Sequence, residues 1–197
     1  ACQKAFKKPA EQQMSPLHPM RTNLQSPFKE TGLDMMGPFA VRMNGRASHK
    51  VWAIVFACMS TRSVHVELVF KMDADSLLNA ITRFSARRPG TTHFVSDNGT
   101  NLTKSEKVLK RELQQWNSTA APALQRQGIV WTFIPPGTPH RGGCYERLFK
   151  RRLAALSIGD SIHVETFNTV LVQIEAVVNR RPLTALSPST NDCEPLT

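Results

Sequence analysis

Apolar residues recur along this chain in two periods, and the switches between them mark out its elements. "TGLDMMGPFAV", residues 31–41, is an apolar stretch interrupted by one acid, Asp34, and predicts a strand. "NGRASH" predicts a turn, and "KVWAIVFACM" (50–59) and "SVHVELVF" (63–70) are β-rich runs joined by the short "STR". Together they predict an antiparallel hairpin. Val64, Val66 and Leu68 alternate with His65 and Glu67, the pattern of a strand with one apolar and one wet face. In "DADSLLNAITRFSARR" (73–88) the period changes. Leu77, Leu78, Ile81 and Phe84 fall at helical spacing, and Asp73 or Asp75 is placed to cap the helix.

Beyond it, "THFVSDNG" (92–99) predicts a short strand, and "KSEKVLKRELQQW" (104–116) an amphipathic helix. "GIVWTFIPP" predicts a strand stopped by Pro135 and Pro136. "CYERLFKRRLAAL" (144–156) predicts a basic helix, and "HVETFNTVLVQIEAVVNRRPL" a long apolar one stopped near Pro182. The order is three strands, helix, strand, helix, strand, helix, helix. That order predicts an α/β domain, a mixed sheet flanked by helices.

Composition narrows the class. A chain of 197 residues with 41% hydrophobic content can bury one core. No run approaches the roughly 18 to 20 apolar residues of a membrane span, and no apolar signal stretch follows the start. The first residue is not methionine, so a fragment of a longer polyprotein is expected. The polar, proline-containing opening, "KKPAEQQMSPLHPMRTNLQSPFKE", predicts an extended linker. Four scattered cysteines without a C-x-x-C pair predict reduced thiols.

Charge adds a partner. Twenty-five Lys and Arg against fifteen Asp and Glu leave +10. Residues 1–50 and 101–150 each hold eight basic and three acidic side chains, whereas 51–100 and 151–197 are near neutral. A segmental surplus of this size points to a polyanion, most simply nucleic acid.

Three carboxylates stand out by their surroundings: Asp34 within an apolar strand, Asp97 ending one, and Glu146 starting a helix just after "PHRGG". Each alone reads as a turn or a satisfied polar contact. As a set they suit hard divalent cations, which take carboxylate oxygens and keep waters for substrate phosphates. Two such ions can clamp both oxygens of an in-line phosphoryl displacement. In a sheet built this way the first and fourth strands are commonly neighbours, which would bring Asp34 and Asp97 together.

"TGLDMMGPF", "KVWAIVFACMSTRSVHVELV", "RFSARRPGTTHFVSDNGTN", "PPGTPHRGGCYERLFK" and "VETFNTVLVQIEAVVNRRPLTALSP" follow one another in an order and spacing that resembles the integrase core of BEL/Pao-type LTR retrotransposons. That family belongs to the retroviral integrase superfamily. The resemblance implies an RNase H-like mixed five-stranded sheet and a D, D, E triad of Asp34, Asp97 and Glu146 holding two Mg²⁺ or Mn²⁺ ions. It implies 3′-end processing of element DNA and its transfer into target DNA, a homo-oligomer when active, a nuclear setting and no membrane. It divides the chain into 1–26, a linker and remnant of an upstream zinc-binding module; 27–190, the catalytic core; and 191–197, a tail. Cys2 would be the last ligand of a His-His-Cys-Cys zinc site, and zinc is not expected in this fragment because a closed site needs about four ligands.

Basic groups around the third acid are DNA contacts by the same resemblance: Lys150, Arg147 and Arg141, with Asn98 beside Asp97. Glu146 and Lys150 also stand at i, i+4, where an ordinary helical ion pair explains them equally well. His140 reads as an exposed loop histidine and His65 as structural. "ERLFKRRL" is shorter than the family's helix, and losing two or three residues turns the following side chains by about 200° to 300°. A catalytically decayed integrase-like DNA-binding domain therefore stands as the alternative, with a cellular RNase H-like nuclease as a second.

Overall fold

The computed structural model describes residues 25–43, 48–97, 128–134 and 162–181, together with Pro122, Phe149 and Leu153. Five strands and two helices lie within them. In chain order they are β1 (Glu30–Arg42), β2 (Ser48–Cys58), β3 (Val64–Val69), α1 (Ala74–Arg87), β4 (His93–Asp97), β5 (Val130–Ile134) and α2 (Val164–Asn179). The helix predicted over 104–116 falls outside the described residues, as do Cys2 and most of the predicted linker.

The strands form one sheet in the order β3-β2-β1-β4-β5. β1, β2 and β3 make an antiparallel meander, and β4 and β5 add to β1 in parallel. An antiparallel meander continued by parallel strands on the side of β1 is the RNase H-like arrangement. Pairing of β1 with β2 slips between Met36 and Phe39. Gly37 sits in that irregularity at φ +129°, and a Cβ there would lie 2.9 Å from Trp52 Cδ1 and 3.0 Å from the Val51 carbonyl oxygen. Only glycine meets both conditions without strain.

A helix covers each face of the meander, which is why β2 reads as an unbroken apolar run. α1 lays Leu77, Ala80, Ile81 and Phe84 over Leu33, Ile54, Phe56 and Phe94. Phe84 stacks on Phe56 with ring centroids 4.2 Å apart and planes 4° from parallel. Asp73 is the residue that caps this helix, accepting from the Ser76 N–H at 2.8 Å. On the other face α2 packs Phe167, Leu171, Ile174 and Val178 against Val51, Val55 and Val66. Phe149 and Leu153, both helical, are buried in that second cluster. Phe28 is 4% exposed and anchored in the first cluster, so the linker character ends before it.

The edge strand β3 departs from its predicted wet face. His65 and Glu67 are 6% and 5% exposed. Alternation of polar and apolar residues indicates two different faces, but not that the polar one meets water. Here it meets other charges. His65 lies between Glu67 (3.0 Å) and Glu175 (3.2 Å), and Glu67 also accepts from Arg83 and Arg87 on α1. α2 further closes the outer edge of β3. Glu175 accepts the Val66 N–H at 3.0 Å, and the Asn179 amide bonds both the N–H and the C=O of Val64 at 2.8 Å.

Candidate active site on the first and fourth strands

The parallel ladder between β1 and β4 keeps a constant offset, pairing Glu30 with His93, Thr31 with Phe94, Gly32 with Val95 and Leu33 with Ser96. The ladder ends at Leu33 and Ser96; Asp34 on β1 and Asp97, the last residue of β4, are the next residues along each strand. Neighbouring strands run about 4.8 Å apart, and residues level with each other in a parallel pair belong to the same face of the pleat. Asp34 also pairs across β2 with Val55, a core residue beneath α2. Positions 34 and 97 therefore lie on the α2 side of the sheet, the side that takes Phe149 and Leu153. Asp34 is half-buried.

Local packing fixes β4 up to its last residue. Phe94 is fully buried between Phe56, Phe84 and Trp131. Ser96 is buried on the α1 side and accepts the Trp131 indole N–H at 2.9 Å, tying β4 to β5 one residue before Asp97. Asp97 itself is still paired, level with Ile134 of β5. The carboxyl ends of β4 and β5 thus meet the middle of β1, the position where open α/β sheets place their ligands.

Of the predicted site residues, the structure describes Asp34 and the backbone position of Asp97. Glu146, Lys150, Arg147, Arg141 and Asn98 lie outside the described residues, as does His140. Among the described residues no three His, Cys, Asp or Glu side chains are grouped to hold a metal ion. The donors at positions 34 and 97 are carboxylates, a hard-oxygen set that fits Mg²⁺ or Mn²⁺ and gives a soft metal no thiolate or imidazole.

A separate charged cluster, around His65, has no counterpart among the predicted site residues. Burial alone would lower the pKa of His65. Hydrogen bonds and attraction from Glu175 and Glu67 outweigh burial and raise it above 6.5. Burial works against Glu67 in the opposite sense, and its bonds to His65 and Arg83 hold its pKa below 4.5. Glu175, an acid inside the apolar run "VLVQIEAVV", is the one sign in the sequence that something charged lies beneath α2. The cluster borders a groove of about 780 Å³ between the two helices, two strands away from Asp34.

No family model matches the chain, and no curated protein matches its sequence. Among solved structures, the chain is similar to a chain in the cryoEM structure of the simian T-cell lymphotropic virus intasome in complex with PP2A regulatory subunit B56 gamma. Identity is 16% and the TM-score 0.49, over 95% of this chain and 60% of the other. The RNase H-like assignment stands on strand order and register. Among the described residues no helix is long and apolar enough to cross a membrane.

Proposed function

We propose that this chain is the catalytic core of a DNA integrase of the BEL/Pao retrotransposon type, a metal-dependent polynucleotidyl transferase. The observation that supports the reading is the β1–β4 register, whose last pair, Leu33 with Ser96, lies one residue before Asp34 and Asp97. An isolated turn aspartate needs no such strand neighbour.

Asp34, Asp97 and Glu146 would hold two Mg²⁺ or Mn²⁺ ions. When bound, such a pair sharpens the attacking oxygen and neutralises charge gathering on the phosphoryl group. The chain's own part is placement. Strand-borne aspartates fix where the scissile phosphate sits, and Lys150, Arg147, Arg141 and Asn98 would hold the flanking backbone. The reaction is two phosphoester exchanges. Water first cleaves a phosphodiester near the element's 3′ end, leaving a 3′-hydroxyl. That hydroxyl then attacks a phosphodiester of target DNA and expels the target's own 3′-oxygen. Joining two ends in concert calls for more than one copy of the chain, and the DNA substrate calls for a nuclear setting.

The shortened "ERLFKRRL" favours the decayed-domain reading, but Phe149 and Leu153 bear on it. Both are buried in the core beneath α2, so the helix packs at these positions. Asp34→Asn and Asp97→Asn are expected to abolish Mg²⁺-dependent cutting of element-end DNA while leaving the folded state intact. Full cutting by either variant would sink the enzyme reading, and cutting confined to RNA–DNA hybrids would favour a cellular nuclease.

A further inference from the structure

We propose that the end of the sheet opposite Asp34 and Asp97 carries a second nucleic-acid contact, a basic face that grips the phosphate backbone of duplex DNA through Arg62 and Arg180. It takes its choice of polyanion from the DNA chemistry above but does not depend on the carboxylate site.

The face is assembled where the β2–β3 turn meets the end of α2. Arg62 is fixed in the turn at φ +60°, its N–H donating to the Cys58 carbonyl at 2.9 Å. Its own carbonyl accepts from Arg181 Nη2 at 3.0 Å, and the same nitrogen donates to the Thr61 carbonyl at 3.1 Å. Arg181 also donates to the Val178 carbonyl. Burial and the nearby Arg62 charge both push the pKa of Arg181 down, so the two cations lie close enough to repel. Arg180, the C-cap of α2, is exposed beside them.

Among the described residues none of these three arginines has a carboxylate within ion-pair distance, whereas Arg83 and Arg87 both reach Glu67. The carbonyl end of a helix attracts cations. That accounts for Arg181, whose guanidinium is occupied by carbonyls. It does not account for Arg62 and Arg180, whose side chains are exposed. Arg62 moreover takes a left-handed conformation that glycine or asparagine adopts more easily, so its long cationic side chain is held there against backbone preference. Thr31 pairs with Cys58 and Asp34 with Val55, so this end lies about 10 Å along β1 from Asp34.

The test measures fluorescence anisotropy of a labelled duplex of arbitrary sequence in EDTA, where nothing is cut, across a salt series. Arg62→Asn with Arg180→Gln keeps the turn and the helix end, because asparagine suits a positive φ and Arg181 is untouched. The pair is expected to weaken binding about tenfold at moderate salt. It should also flatten the log–log salt slope by about two, one for each phosphate that is no longer neutralised. Affinity within twofold of the parent at an unchanged slope would overturn the proposal. So would tighter capture of phosphatidylserine vesicles than of duplex, abolished by the same pair, since that assigns the face to a membrane. Asp34→Asn, run alongside in Mg²⁺, is expected to lose cutting, and adding the arginine pair to it should flatten the salt slope by the same amount as in the parent. If Asp34→Asn still cuts, the carboxylate reading fails while the result for this face stands.

Discussion

Glu175 holds three elements together, and removing it isolates what that junction contributes. Its carboxylate accepts the Val66 N–H at 3.0 Å and bonds His65 at 3.2 Å, while Arg88 stands 3.9 Å away. The Arg88 contact is long and half-exposed, and it adds little. The His65 bond is charge-assisted and nearly dry, worth about 1.5–3 kcal/mol, and an orphaned backbone N–H costs about 1 kcal/mol more. Glu175→Ala should therefore lose about 3 kcal/mol, which for a domain of this size is a fall in Tm of about 6–12 °C. Glu175→Gln keeps an acceptor for Val66 but no charge for His65, and should lose about half as much. The assay is urea unfolding followed by circular dichroism between pH 5.5 and pH 8.5. His65 has its pKa raised in the folded state, so its stabilisation is complete below 6.5 and fades as pH rises through the folded value. The deficit of Glu175→Gln relative to the parent should thus shrink as pH rises. Glu67, with its pKa lowered, adds stability above 4.5 that is lost as pH falls through its folded value. A loss below 1 kcal/mol for Glu175→Ala, or a Glu175→Gln deficit independent of pH, would refute the reasoning.

Phe84→Ala removes the ring stacked on Phe56 beneath α1 and should cost about 3–5 kcal/mol in the same unfolding assay, with the folded signal retained at low denaturant. Gly37→Ala forces a Cβ against Trp52 at a φ that alanine disfavours. It should cost about 1–3 kcal/mol and change the near-ultraviolet signal of Trp52.

The sequence is most legible where one short-range rule decides. The apolar runs of β1 and β2, the alternation in β3 and the Asp73 cap depend on near neighbours, and the mixed sheet follows from the order of the elements. The pairing of β1 with β4 takes one further step, a general preference for joining the first strand to the fourth, and the sheet has it. His65 and Glu67 show where such rules stop. Their burial depends on Glu175 and Arg83, 110 and 18 residues away from His65 along the chain, brought in by two different helices. The distal arginines make the same point for charge. Segment totals place the basic surplus in 1–50 and 101–150, yet Arg62, Arg180 and Arg181 come from the two near-neutral segments. A segment's net charge says nothing about which of its cations keep a carboxylate beside them after folding.

A sheet is a polymer of strands with two growing ends, and α2 supplies a terminator for one of them. On an outer strand every second residue offers its N–H and C=O sideways to the next monomer. At β3 the Asn179 amide takes both groups of Val64, and Glu175 takes the N–H of Val66. An incoming strand would have to displace side chains already mimicking its backbone. Two copies of this chain are therefore hindered from fusing sheet to sheet through β3. A high local concentration, the condition under which exposed edges nucleate fibres, can then be reached without that hazard at this edge.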